Sequence, residues 1–362
     1  MRFPYEWTLK SGYGRNPNGL ACLSTFSCGG GSTMGWKLAG YQVRGAVEID
    51  PKLAEVYVKN HRPEIIWCED VRTFVEREDL PEWAYELDVL DGSPPCSVFS
   101  TAGRREAGWG VAKQFREGQA MQRLDDLFPV FASTAKRLRP KVVVAENVMG
   151  MLKGAAKGFV KEAVEAIDAA GYRTQVFRLN AAHMGVPQAR ERLFFIGLRN
   201  DIERPKLRLE FHDDPIQFKR IKRQGGLPPK PLSAASLHIW KNRRPGDLGF
   251  DDVNKRLKGK ATNFNSHFVL DERVVPTITA TVASKLVLAT EPRLMNKAEM
   301  MLAGSWPLDY DFGDLDPRYV IGMSVPPVMM ARIAVEIQNQ WLSVGSSLSD
   351  SEGEEQPLID VT

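Results

Sequence analysis

Between Ala21 and Arg199 the chain alternates short apolar or β-branched runs with amphipathic stretches, and this alternation limits the fold more than any other feature. The runs are "GAVEID", "PEIIWCED", "LDVLDG", "KVVVAEN", "TQVFRLN" and "RLFFIGL"; among them lie "PKLAEVYVKNH", "DDLFPVFASTAKRL" and "GFVKEAVEAIDAAG". Near-continuous apolar runs suit strands buried on both faces, and the intervening segments repeat apolar residues at helical spacing. The pattern predicts an α/β fold built on a doubly wound, mostly parallel sheet. From Asn200 the rhythm gives way to Pro, Gly, Lys and Arg-rich sequence. That change predicts a smaller loop-rich domain over 200–314, set between 1–199 and 315–344. Residues 345–362 carry five acids and no base and are expected to form a disordered tail.

Composition excludes little: 43% hydrophobic and 26% charged residues describe an ordinary globular chain. The N-terminus lacks the apolar core of a signal peptide, and no run of membrane-helix length stands out, so a cytoplasmic protein is expected. Cys22, Cys28, Cys68 and Cys96 form no CxxC pair, which argues against a disulfide framework or a zinc site. Cys22 and Cys68 sit in apolar runs and read as core. Net charge is +3, but residues 201–260 hold 15 Lys and Arg against 8 Asp and Glu. Lys219, Arg220, Lys222, Arg223, Arg243 and Arg244 form its basic knots. They suit a polyanion face, though a solvated surface accounts for the charge equally well.

Ligands of such sheets sit beyond the carboxyl ends of the strands, where the informative residues are found. "ACLSTF" leads into "SCGGGSTMG", in which Gly29, Gly30 and Gly31 permit a tight turn. Glu48 and Asp50 end the next run, at the spacing where an acid meets ribose hydroxyls, and Asp70 follows the third. Together they describe an adenosine pocket. Neither GxxxxGK[ST] nor GxGxxG is present, so a nucleoside cofactor without phosphates, S-adenosylmethionine, fits better.

"LDVLDGSPPCSVFS" then presents Cys96 after a strand and a Pro-Pro turn, where amino-group methyltransferases carry an aromatic ring. A lone cysteine is more plainly a buried inert thiol, yet this placement favours a nucleophile. Cytosine carbon 5 attacks a sulfonium methyl only after a thiolate has added at carbon 6. Glu146, closing "KVVVAE", can assist at ring nitrogen 3, and Glu-Asn also suits the opening of a helix. After Gln188, Arg190 and Arg192 alternate onto one face, either to hold Glu146 and the cytosine carbonyl or to salt-bridge a surface.

With these blocks in order, followed by "VVPTITAT" and "RYVIGMSVPPVMMARIAVEI", the chain resembles the DNA (cytosine-5) methyltransferases from Ala21 to about Ile337. The resemblance implies Cys96 as nucleophile, Glu146 as acid, and Arg190 and Arg192 beside them. It implies cofactor contacts at Phe26, Gly29, Gly30, Gly31, Glu48, Ile49, Asp70, Val71, Pro95, Ser324 and Val325. The insertion becomes a target-recognition domain, with DNA contacts at Ser97, Arg104, Arg105, Gln188 and the six basic residues above. The segment from Ser97 to about Arg123, of net charge +3, becomes a mobile loop that closes over a flipped base. A bacterial or phage-encoded monomer is implied, acting on double-stranded DNA without metal or membrane, with a cognate restriction endonuclease as a further partner. Three positions depart from the family pattern: Cys28 replaces a glycine, Ile49 a tryptophan and Met323 an asparagine. An RNA cytosine methyltransferase of the tRNA-aspartate type shares the same blocks. A catalytically dead DNA-binding relative is disfavoured by the full set of catalytic residues, and an amino-group methyltransferase by Cys96.

Overall fold

Every second residue of the buried runs faces the same side of the sheet, so each strand feeds two cores. The strands are β1 (Ala21–Thr25), β2 (Gln42–Val47), β3 (Ile65–Trp67), β4 (Val89–Gly92), β5 (Val142–Val148), β6 (Tyr172–Asn180) and β7 (Glu191–Arg199). They pair in the order β3-β2-β1-β4-β5-β7-β6, parallel except for β7, which runs against both of its neighbours. The structure is a computed structural model that describes residues 1–12, 17–94, 126–152, 157–223, 231–261, 266–280 and 285–343.

Helices α1 (Leu9–Gly12), α2 (Gly31–Leu38), α3 (Pro51–His61), α4 (Val71–Glu76), α5 (Leu127–Leu138) and α6 (Lys157–Ala169) lie before and between these strands. On one face Val142, Val144, Phe194 and Ile196 pack with Trp36 and with residues 328–337. On the other, Val143, Ala145, Leu193 and Phe195 pack against Phe131 and Ile167. The expected doubly wound sheet is therefore present.

Cys68 corrects an expectation. It is exposed rather than core, because β3 is a three-residue edge strand that ends at Trp67.

Beyond β7 the rhythm breaks as expected. Helices α7 (Ala234–Lys241) and α8 (Phe250–Lys258) and the parallel pair β8 (His267–Val269) and β9 (Leu286–Leu288) enclose a small core of Ile239, Phe250, Val253, Phe268 and Val287. The chain then returns through α9 (Lys297–Ala303), α10 (Pro317–Met323) and α11 (Pro327–Ile337). Pro317–Leu342 is long and apolar enough to cross a membrane by length and composition, contrary to the sequence reading, but 83% of its apolar window is buried inside the protein. Its function is packing. Helix α11 lies on α2, where a Cβ on Gly35 would stand 2.4 Å from Met330 Cβ, so only glycine permits the approach.

Candidate active site

Strand order reverses between β1 and β4, and it is beyond the carboxyl ends of the strands at such a reversal that sheets of this kind take their ligands. The turn leaving β1 holds Phe26, Cys28 and Gly30 at φ 53°, 48° and 78°, left-handed values that only the glycine adopts without strain. Tertiary contacts hold it there. Cys28 N donates to Glu48 Oε2 at 2.7 Å, and the Gly29 carbonyl accepts from Tyr310 Oη at 2.6 Å. His61 Nε2 lies 3.0 Å from the same carbonyl, and burial drives its pKa to about 3, so the neutral ring donates there. Gly31 meets the turn after α10 so closely that a Cβ would stand 2.3 Å from Val325 O and 2.7 Å from Ser324 Cβ. Ser324 Oγ itself donates to Val320 O.

The acids at the strand ends divide their tasks. Asp50 caps α3 through Lys52 N and Leu53 N, while Glu48 is buried behind the turn. Burial pushes Glu48 up to about 7, against the pull of the Asp50 and Cys28 amides on its two oxygens. Asp70 caps α4 through Arg72 N, and the Arg72 guanidinium stands 3.0 Å from it. Phe26 packs with Val71 and Leu127, while Ile49 is half-buried beside Glu48. Two polar groups here were not anticipated. Ser27 Oγ is buried with no hydrogen-bond partner among the described residues. Asp91, below the turn, accepts from Ser24 and Ser32 and is raised to about 6 by burial.

Beyond β4, strand β5 pairs with β7 so that Glu146 and Arg192 meet, Arg192 Nε lying 2.8 Å from Glu146 Oε1 in a nearly buried ion pair. Burial lowers the Arg192 guanidinium from its ordinary value and Glu146 opposes that shift. Arg190 behaves differently: its Nη1 donates to Ile278 O at 3.1 Å and its Nη2 to Gly322 O at 3.0 Å. The expected two-arginine clamp is thus one arginine on the acid and one on backbone carbonyls. Strand β7 begins at Glu191, so the alternation assumed for Arg190 does not extend to it. Gln188, expected on DNA, is 1% exposed; it donates to Ala303 O and accepts from Ile278 N. Asn147, beside Glu146, donates to Pro94 O at 3.1 Å and anchors the turn that leads toward the thiol. Pro95, Cys96, Ser97, Arg104, Arg105 and the expected loop through Arg123 lie outside the described residues, as does the tail 345–362.

The basic knots are largely engaged. Lys219 pairs with Glu272, Lys222 with Asp271 and Glu291, and Arg223 with Glu6, while Arg243 lies over the Trp240 ring. Arg220 and Arg244 are exposed, with no side-chain partner among the described residues. Asn147 and Ser27 were legible in principle, each adjoining a singled-out residue. Tyr310 and His61 were not, since Tyr310 reaches Gly29 across 281 residues of chain.

Comparison with known proteins gives a concordant result. A family model described as C-5 cytosine-specific DNA methylase matches residues 20–339. The chain is 33% identical over 190 residues to the Type II methyltransferase M.NgoPII of Neisseria gonorrhoeae, covering 51% of this chain and 50% of that one. It is 34% identical over 187 residues to M.FnuDI of Fusobacterium nucleatum, covering 51% and 48%. The match thus spans about half the length of these curated relatives. A prophage-encoded E. coli protein assigned as a DNA modification methyltransferase shares the fold at TM-score 0.61 and 20% identity, over 89% of this chain and 99% of that one. The S. pombe Dnmt2 methyltransferase does so at 0.56 and 14%, over 88% and 98%.

Proposed function

Because the chain belongs to the C-5 cytosine-specific DNA methylase family, we propose that it methylates carbon 5 of a flipped-out cytosine within a short sequence of double-stranded DNA. The observation that carries this reading is the Glu146–Arg192 pair at 2.8 Å, with Asn147 tying the same strand end to the turn that leads to Cys96. An acid held by an arginine beside a loop bearing a thiol suits addition across the 5,6 bond of a pyrimidine.

The cofactor is S-adenosylmethionine, and the residues present fit it. Phe26, Ile49 and Val71 offer apolar walls, Glu48 and Asp70 offer acceptors, and Ser27 Oγ offers a buried polar group not otherwise used. Two acids at such a mouth repel phosphates and tolerate a sulfonium. When bound, the cofactor supplies the electrophilic methyl group.

The remaining steps belong to the chain. Cys96 adds as thiolate to carbon 6 while Glu146, steadied by Arg192, assists at nitrogen 3. Carbon 5 takes the methyl group, a base removes its proton, and the Cys96 sulfur leaves. Residues 200–314 form the target-recognition domain, and 97–123 the loop that covers the extruded base. The activity is of the Type II restriction-modification kind.

The test is mass spectrometry of nucleosides from DNA incubated with the protein and labelled S-adenosylmethionine. Label is expected in 5-methylcytosine and absent with Cys96→Ser. Label in an amino-methylated base would refute the mechanism, and label transferred to tRNA alone would refute the substrate.

A further inference from the structure

A cavity of about 560 Å³ lies where the small α7–α8 unit meets the end of the sheet. Its walls are largely apolar, with Leu248, Phe268, Pro276 and Ala189 among them. Arg273 and Glu272 also line it. Resting on the methyltransferase reading above, we propose that Arg273, at the rim of this cavity, reads a guanine of the target sequence through the base edge presented in the major groove.

Three observations carry the proposal. First, the Arg273 guanidinium is exposed and has no hydrogen-bond or ion-pair partner among the described residues. In the same region Lys219, Lys222, Arg223, Arg256 and Arg293 are matched with acids, while Arg220 and Arg244, which are likewise unmatched, do not line the cavity. Secondly, its mount is rigid: Arg273 N donates to Leu270 O, and its carbonyl accepts from the buried Phe218 N. A backbone held in this way leaves only the side chain's own rotamers to be ordered when the guanidinium pairs.

Thirdly, the cavity adjoins the chemistry. Ala189 is three residues from Arg192, at most about 10 Å along extended chain, and at 3.4 Å per base pair that distance is about three steps of duplex.

Arginine presents two parallel donors to guanine O6 and N7, which lysine does not reproduce.

The experiment maps 5-methylcytosine contexts in a randomised DNA pool treated with the full chain and with its Arg273→Ala, Arg273→Lys and Arg220→Ala variants. The wild type is expected to require guanine at a position within about three base pairs of the target cytosine. Both Arg273 variants should lose that preference by about tenfold or more at that position alone. Arg220→Ala should leave the context unchanged while weakening binding evenly. A wild-type context without such a guanine, an Arg273→Lys variant that behaves as wild type, or an even loss across all contexts in Arg273→Ala would overturn the proposal while leaving the activity standing. Failure of the wild type to methylate cytosine would instead overturn the activity, and this inference with it.

Discussion

At the carboxyl edge of the sheet, Glu48 and Asp91 are buried acids held by amide and hydroxyl donors, without a basic partner in direct contact among the described residues. In the 200–314 region the reverse holds: Lys222 meets two acids, and Arg293 holds Glu291 and the fully buried Glu299. The first arrangement leaves burial free to raise acid pKa values, the usual signature of a site that handles ligand or proton. The second spends charge on holding loops together. Density of basic residues therefore overstates the positive charge left free for a polyanion.

Glu146, unlike Glu48 and Asp91, has a cation, and removing that cation should have the largest effect. Arg192→Met leaves a nearly buried carboxylate alone beside the substrate. The single-turnover methylation rate should fall about 100- to 1000-fold, or about 3–4 kcal/mol, with DNA affinity little changed. Arg192→Lys should recover part of the rate. A Met variant within tenfold of wild type would remove the pair from the chemistry and make it one more structural bridge like those of the 200–314 region.

Glu48 tests the other half of the comparison. Its carboxyl is raised from 4.5 to about 7, so the folded protein binds a proton there that the unfolded chain has already lost. The stability this group contributes is thus present below 4.5 and declines as pH rises to 7. Ribose hydroxyls donate to a carboxylate and favour its charged form. Cofactor affinity should accordingly tighten as pH climbs from about 5 to 7, by up to about tenfold per unit, and then level off. Calorimetric titration of S-adenosylmethionine across that range should find the slope flattened in Glu48→Gln. An equal slope in both proteins would place the titration elsewhere.

The difference between the regions also explains what could be read from sequence. The placement of Glu48, Asp70 and Glu146 at strand ends was legible because those ends are fixed by the order of apolar runs, and a doubly wound sheet brings them to one edge. Cys68 was misplaced because the run "PEIIWCED" does not reveal that only three of its residues pair. Arg190 and Gln188 were misread for another reason. Their partners Ile278, Ala303 and Gly322 lie 88 to 132 residues away, and no local pattern announces a carbonyl arriving from that distance. Lys222 looked like its neighbours in "FKRIKRQGG", yet folding gave it Asp271, Thr290 and Glu291.

Lys222 supplies the smallest effect and the sharpest contrast with Arg220, two positions away. Only 18% of its side chain is exposed, and Nζ stands 3.2 Å from Asp271, 2.9 Å from Thr290 and 2.8 Å from Glu291. Lys222→Met leaves the two carboxylates without their shared cation. The cost should fall between that of a surface pair and a buried one, about 1–2 kcal/mol in urea denaturation. DNA binding should keep its salt dependence, because a lysine already matched releases no phosphate counterion. Arg220→Ala should do the opposite, leaving stability within about 0.5 kcal/mol and lowering the slope of log affinity against log salt by about one. If Lys222→Met lowers that slope instead, its pairs open when DNA arrives, and charge in the 200–314 region is held in reserve for DNA.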